Sequence, residues 1–66
     1  MSSADEALTR AEKLLERLET ARARLESTDD PDQAVEVLQE LAELAREIEA
    51  ELQRAKRSTE ADAADA

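Results

Sequence analysis

The sequence predicts an all-α protein, an antiparallel two-helix hairpin with coiled-coil-like packing. Helix-favouring residues dominate the 66 positions, and there is no Gly and no aromatic residue. Apolar residues recur at alternating steps of three and four along two separate stretches, which is typical of a heptad pattern. Between the stretches lies Pro31, the one proline, and the residue before a proline avoids helical conformation. These observations predict two helices joined by a short turn.

The first helix is expected over residues 4–27. Ser3, with Glu6 three positions later, is typical of a capping box, so Ser3 is the expected N-cap. Acidic side chains in the first turn also suit the positive end of the helix dipole. The apolar seam of this helix, meaning the line of residues that faces the other helix, consists of Ala4, Ala7, Ala11, Leu14, Leu18, Ala21 and Leu25.

The turn is expected at residues 28–30 and the second helix at 31–57. Asp30 is the expected N-cap, Pro31 occupies the first helical position, and Gln33 completes a second capping box. The predicted seam of this helix consists of Ala34, Leu38, Leu41, Ala45, Ile48, Leu52 and Ala55. Residues 1–57 therefore form the hairpin. Residues 58–66 contain no large apolar side chain and are expected to form a disordered acidic tail.

The two seams fit each other in an antiparallel hairpin. With the turn centred between residues 29 and 30, Leu18 faces Leu41 and Ala11 faces Ile48, and the remaining apolar layers follow in register. Most layers then match a large side chain with an alanine, which lets the helices approach closely and interdigitate.

Several apolar side chains remain outside this predicted seam. They are Leu8, Leu15, Val35 and Ala42 on one flank, and Val37 and Leu44 on the other. A single two-helix seam cannot bury them all. We therefore expect these six residues to form an interface with a second copy, giving a homodimeric four-helix bundle, or with another helical protein. The alternative for the strip at residues 8, 15, 35 and 42 is internal packing at a wide seam.

Arginines recur at every seventh position of the first helix, at residues 10, 17 and 24. Arg10 is expected to pair with Glu51, while the stems of the other two cover Leu44 and Val37. The row would also suit contact with phosphates. However, acidic residues share this helix, no aromatic residue is present for base stacking, and the net charge is −9, so no direct nucleic-acid partner is expected.

The composition argues against catalysis. Without His or Cys, neither a zinc site nor a disulfide is expected, and without Gly no phosphate-binding loop can form. The carboxylates of both helices are expected to face solvent, with weak cation binding as the alternative. Asp29, Asp30 and Asp32 resemble a calcium loop but lack its central Gly, so capping is the preferred interpretation. We expect no catalytic residue, cofactor, metal, small-molecule substrate or membrane partner, and a cytoplasmic location.

Two segments resemble the exonuclease VII small subunit family. Residues 6–19 read E-A-L-T-R-A-E-K-L-L-E-R-L-E, where that family typically reads E-A-L-x-x-L-E-x-I-V-x-x-L-E. Residues 34–46, A-V-E-V-L-Q-E-L-A-E-L-A-R, are similar to its second helix. The resemblance implies a non-catalytic helical hairpin that dimerises or coats the large, catalytic subunit of a DNA-degrading nuclease. The leading expectation is a self-associating structural module, and such an accessory subunit is the alternative.

Overall fold

The computed structural model describes residues 2–65, and the side chains of residues 2–61. Helix α1 spans Ser3–Ser27 and helix α2 spans Pro31–Asp65. They pack against each other as a hairpin with dimensions of 54 × 16 × 10 Å, and the described residues contain no strand. The predicted two-helix hairpin is confirmed, whereas its assembly into a four-helix bundle stays a prediction.

Helix α1 begins one residue before its predicted start, and its N-cap is Ser2 rather than Ser3. The Ser2 side chain accepts a hydrogen bond from the backbone N–H of Asp5 at 3.1 Å, and its own backbone is extended. The carbonyl of Ser2 accepts the first helical bond, from the backbone N–H of Glu6 at 3.0 Å. Either serine has the chemistry of a cap, and the earlier one lets the helix include one more residue.

The turn at residues 28–30 is confirmed, and so is its capping aspartate. The Asp30 side chain accepts from the backbone N–H of Asp32 at 2.9 Å, and Pro31 is the first residue of α2. The second capping box is wrong, because the Gln33 side chain accepts from the Thr28 hydroxyl at 3.3 Å instead. With Asp30 already capping the helix, Gln33 is free to reach back across the turn.

Helix α2 continues to Asp65, beyond the predicted end at residue 57. The expected disordered tail over 58–66 is therefore wrong as far as residue 65, and residue 66 lies outside the described residues. The segment contains no Gly or Pro that would end a helix, and alanine is its commonest residue and the strongest helix former. Large apolar residues are needed for packing against α1, but not for continuing the helix itself.

The seam of α1 is the predicted one. Ala7, Ala11 and Ala21 are buried, and the leucines of the seam are partly buried. The centre of the core consists of Ala21, Val37 and Leu44, with Leu14, Leu18, Leu25 and Leu41 packed around them. Alanines on α1 thus allow α2 to approach closely, as expected.

The seam of α2 is wrong at three of its seven predicted positions. Val37, Leu44 and Glu51 are buried, with 4%, 2% and 7% of their surfaces exposed, and they replace Leu38, Ala45 and Leu52. Relative to the prediction, α2 is rotated about its axis by about 50°, half the angle between successive helical residues. Both patterns contain Ala34, Leu41, Ile48 and Ala55, so apolar spacing alone does not decide between them.

Candidate docking face

One side of the hairpin exposes large apolar residues. The most exposed of these are Leu8, Leu15, Val35, Leu38 and Leu52, with 43–53% of their surfaces accessible. All five directly follow a seam residue, and every one except Val35 follows the second seam residue of a heptad, as Leu8 follows Ala7 and Leu52 follows Glu51. In an antiparallel helix pair, the positions directly after the second seam residue of each heptad lie on the same flank of both helices.

Ion pairs between the helices identify the opposite flank. Arg24 Nη1 lies 3.1 Å from Glu40 Oε2, and Arg10 Nε lies 2.8 Å from Glu51 Oε2. Arg10 and Arg24 each lie directly before a seam residue of α1, and Glu40 directly before a seam residue of α2. The apolar positions therefore share the other flank. Val35 and Ala42, which follow Ala34 and Leu41, extend that flank outward on α2.

We call this apolar flank the docking face. It consists of Leu8, Leu15, Val35, Leu38, Ala42, Ala45 and Leu52, all of which are exposed.

Four of the six interface residues expected from the sequence belong to the docking face, namely Leu8, Leu15, Val35 and Ala42. The expectation that Val37 and Leu44 lie on an outer flank is wrong, because the rotation of α2 carries both into the core. The same rotation brings Leu38, Ala45 and Leu52 onto the docking face. A second pattern of alternating three- and four-residue steps, through Val37 and Leu44, was the sequence signal for this arrangement.

The other flank is charged and centres on Glu51. Its Oε2 accepts a hydrogen bond from Arg10 Nε at 2.8 Å, and Arg54 Nη1 lies 2.9 Å from its Oε1. The contact with Arg54 is close enough for charge attraction but is not aligned as a hydrogen bond, so Oε1 is buried without an aligned donor among the described residues. The predicted pairing of Arg10 with Glu51 is confirmed, but Glu51 occupies the seam rather than a solvent-exposed row.

The arginines around Glu51 determine its ionisation. The hydrogen bond from Arg10, followed by the interaction with Arg54, lowers the pKa of the Glu51 carboxyl, and burial opposes this only in part. The same hydrogen bond raises the pKa of Arg10. Glu51 therefore carries its negative charge at neutral pH inside the hairpin, compensated from both helices.

A groove of about 600 Å³ runs along this charged flank beside Glu51. Its lining includes the basic residues Arg10, Lys13, Arg17 and Arg54 and the acids Glu47 and Glu51. Six of the residues that line the groove are charged, whereas the docking face consists of aliphatic residues. Arg17 and Arg24 were expected to cover Leu44 and Val37. Arg17 lines the groove beside Glu51, and Arg24 pairs with Glu40 and lines a second groove together with Val37.

Among the side chains that the structure describes, those of residues 2–61, His, Cys, Asp and Glu form no group of three or more that could hold a metal ion. Neither helix, over its described length, is long and apolar enough to cross a membrane. Comparisons with protein-family models, with curated proteins and with solved structures give no match for this chain.

Proposed function

We propose that the chain is a non-catalytic interaction module that self-associates through its docking face, giving a homodimeric four-helix bundle. The observation that supports this most directly is that the five most exposed large aliphatic side chains all lie on one flank of the hairpin. An apolar surface of this kind, rimmed by charged residues, is typical of a protein–protein contact. Two such hairpins packed face to face would bury it in the way that four-helix bundles do.

The free energy available is of the size that self-association needs. Covering the exposed half of one such side chain contributes about 1 kcal/mol, or about 10 kcal/mol for the ten side chains of two copies. The loss of translational and rotational freedom on association costs about 4–15 kcal/mol. Since the two quantities are comparable, we expect the dimer to depend on protein concentration.

A second copy suits the docking face because the face is self-complementary. Leucines from both helices contribute to it, so a two-fold axis that lies between the facing copies and is perpendicular to the helices brings each helix alongside the same helix of the other copy, in the opposite direction. Arg22 lies on the same flank towards the turn, and Glu49 towards the open end of the hairpin. A two-fold axis perpendicular to the helices would bring these opposite charges of the two copies towards each other, which favours an antiparallel dimer.

Sedimentation mass and helical content, measured together at about 100 µM protein, test this proposal. We expect a dimer for the wild type, and a monomer of lower helicity for Leu15→Glu, which places a charge in the docking face. The matched control is Thr20→Glu, which adds the same charge to an exposed position of α1 beside the charged flank. Thr20→Glu should remain dimeric. A fully helical wild-type monomer at this concentration would contradict self-association.

The alternative occupant of the docking face is a larger helical protein, and the resemblance to exonuclease VII small subunits suggests the large subunit of a DNA-degrading nuclease. In that case the chain would be an accessory subunit and would remain monomeric alone. Recovery of such a nuclease subunit with the wild type, but not with Leu15→Glu, would favour this function over self-association.

A further inference from the structure

Helix α2 carries two overlapping heptad patterns that share four of their seven positions. Ala34, Leu41, Ile48 and Ala55 belong to both. The observed seam completes them with Val37, Leu44 and Glu51, and the alternative seam would complete them with Leu38, Ala45 and Leu52. The two differ by a rotation of α2 of about 50°, without any change in its direction or in the turn.

Hydrophobicity alone favours the rotation that is not observed. Leu38 would replace Val37, Ala45 would replace Leu44, and Leu52 would replace Glu51. The alternative seam would bury a similar amount of hydrocarbon, because Leu38, Ala45 and Leu52 together carry as many aliphatic side-chain carbons as Val37, Leu44 and the methylenes of Glu51. It would bury no carboxylate, however, and burying a charge is unfavourable unless it is paired. Some interaction of the observed seam must offset this difference.

Glu51 supplies that interaction, because in the observed rotation its carboxylate is held from both helices. Arg10 on α1 donates a hydrogen bond at 2.8 Å, and Arg54 on α2 approaches the second oxygen at 2.9 Å. Ala7 and Ala11, which flank Arg10 on the seam of α1, are small and buried, and so leave room for a glutamate in the seam of α2. A charged group buried with its partners is a recognised way to fix the register of packed helices.

We propose that Glu51 is a positioning residue that fixes the rotation of α2 and thereby places Leu38 and Leu52 on the docking face. This inference rests on the proposed function, because the rotation matters for binding only if that face is the interface. In the alternative rotation, Leu38 and Leu52 would be in the core. Val37 and Leu44 would then be exposed on the charged flank, and the docking face would lose half of its large leucines.

The absence of cysteine from the chain allows the rotation to be measured by thiol labelling. Val37→Cys and Leu38→Cys are made separately, and the rate of reaction with a small disulfide reagent is compared for the two thiols. At a protein concentration below that of dimer formation, where the docking face is open to the reagent, we expect Cys at position 38 in an otherwise wild-type chain to react about tenfold faster than Cys at position 37, since protection follows burial. With Glu51→Ala added, the difference should disappear or reverse.

Glu47→Ala is the matched control. Glu47 lies one turn before Glu51 and lines the same groove, but it is exposed and makes no ion pair among the described residues. This variant should keep the wild-type order of labelling. If Glu51 only stabilised the hairpin, its removal would accelerate the labelling of both thiols without changing their order. The order of labelling therefore distinguishes a positioning role from a general contribution to stability.

Two results would overturn the proposal. One is that, in the Glu51→Ala background, Cys at position 37 still reacts more slowly than Cys at position 38. The other is a loss of helical content in Glu51→Ala. The alternative seam, which contains no carboxylate, should still hold the hairpin of this variant together.

The sedimentation mass of Glu51→Ala separates this inference from the proposed function. A reversed labelling order with an unchanged dimer mass would support the role of Glu51 and contradict the docking face as the interface. If the wild type is monomeric, self-association fails, and the labelling order still tests Glu51.

Discussion

Glu51 is accommodated in the seam by two alanines and an arginine on the facing helix. Ala7 and Ala11 are buried on α1, and the side chain of Arg10 extends from between them to the carboxylate. A larger residue at either alanine would occupy the space that the glutamate needs. The charge is therefore accommodated because the facing helix contributes methyl groups rather than leucines at this level.

The lowered pKa of Glu51 predicts a pH-dependent contribution to stability. Because the pKa in the folded state lies below that in the unfolded state, the contribution is present above the unfolded pKa of about 4.3 and is lost as the pH falls through the folded value. Arg10 and Arg54 are the basic groups that face the Glu51 carboxylate, and Glu47 is the other carboxylate in the groove.

Comparison with Glu51→Gln isolates this contribution from that of the other acids. At pH 7 we expect the wild type to have the larger free energy of unfolding, and the difference from the variant should shrink towards zero as the pH falls below 4. Urea unfolding at a series of pH values measures this. A difference that stays constant between pH 7 and pH 3 would contradict the ionised pair.

Leu44 is the most completely buried large side chain, and its truncation tests which residues form the core. We expect Leu44→Ala to lower the free energy of unfolding by about 2–3 kcal/mol, since a large-to-small change removes apolar burial and leaves a cavity. Gln39→Ala, at an exposed position of the same helix, should change it by less than about 0.5 kcal/mol. Denaturant unfolding at one fixed protein concentration compares the two. A small effect of Leu44→Ala would favour the alternative rotation of α2.

At the scale of the helices, the sequence predicted the ends that local chemistry determines. Asp30 and Pro31 start α2 as expected, because an acceptor side chain followed by a residue without an N–H suits only this position. The start of α1 was off by one residue, since two adjacent serines have the same capping chemistry. The end of α2 was not predicted, because a lack of apolar residues was taken as a lack of helix.

The rotation of α2 is the part of the fold that periodicity could not predict. On α1 only one set of positions carries apolar residues in a continuous heptad pattern, and that set faces the core. On α2 the continuous apolar set is the one that does not face the core. The observed set includes Glu51, and the choice depends on a three-residue charged contact involving both helices. Three of the seven residues of the docking face depend on this choice, so its leucines on α1 were predicted and those on α2 were not.

The cap of α2 gives a prediction at this scale. Asp30→Ala removes the acceptor for the backbone N–H of Asp32, and should lower the free energy of unfolding by about 1 kcal/mol. Asp29→Ala removes the same charge from the neighbouring exposed position and should have a smaller effect. Thermal unfolding followed by circular dichroism compares the two variants. Equal effects would mean that charge near the helix start, rather than the cap, is responsible.

For the molecule as a whole, the two flanks of the hairpin have opposite character. Four of its nine basic residues line the groove beside Glu51, whereas the docking face on the other flank is apolar. A net charge of −9 opposes the approach of two copies at long range, and this repulsion weakens as salt screens it. Self-association through the docking face should therefore strengthen with ionic strength, unlike contacts made by ion pairs.

The dependence of unfolding on protein concentration tests the whole assembly. If the hairpins unfold as they separate, the midpoint of thermal unfolding should rise by about 5 °C for each tenfold increase in concentration, given an unfolding enthalpy of about 0.7 kcal/mol per residue over both chains. Leu52→Ala removes apolar surface from the docking face, so its midpoint should lie below that of the wild type at every concentration. A midpoint that is constant over a hundredfold range would mean that the hairpin is stable as a monomer. The docking face would then be available for a different helical protein.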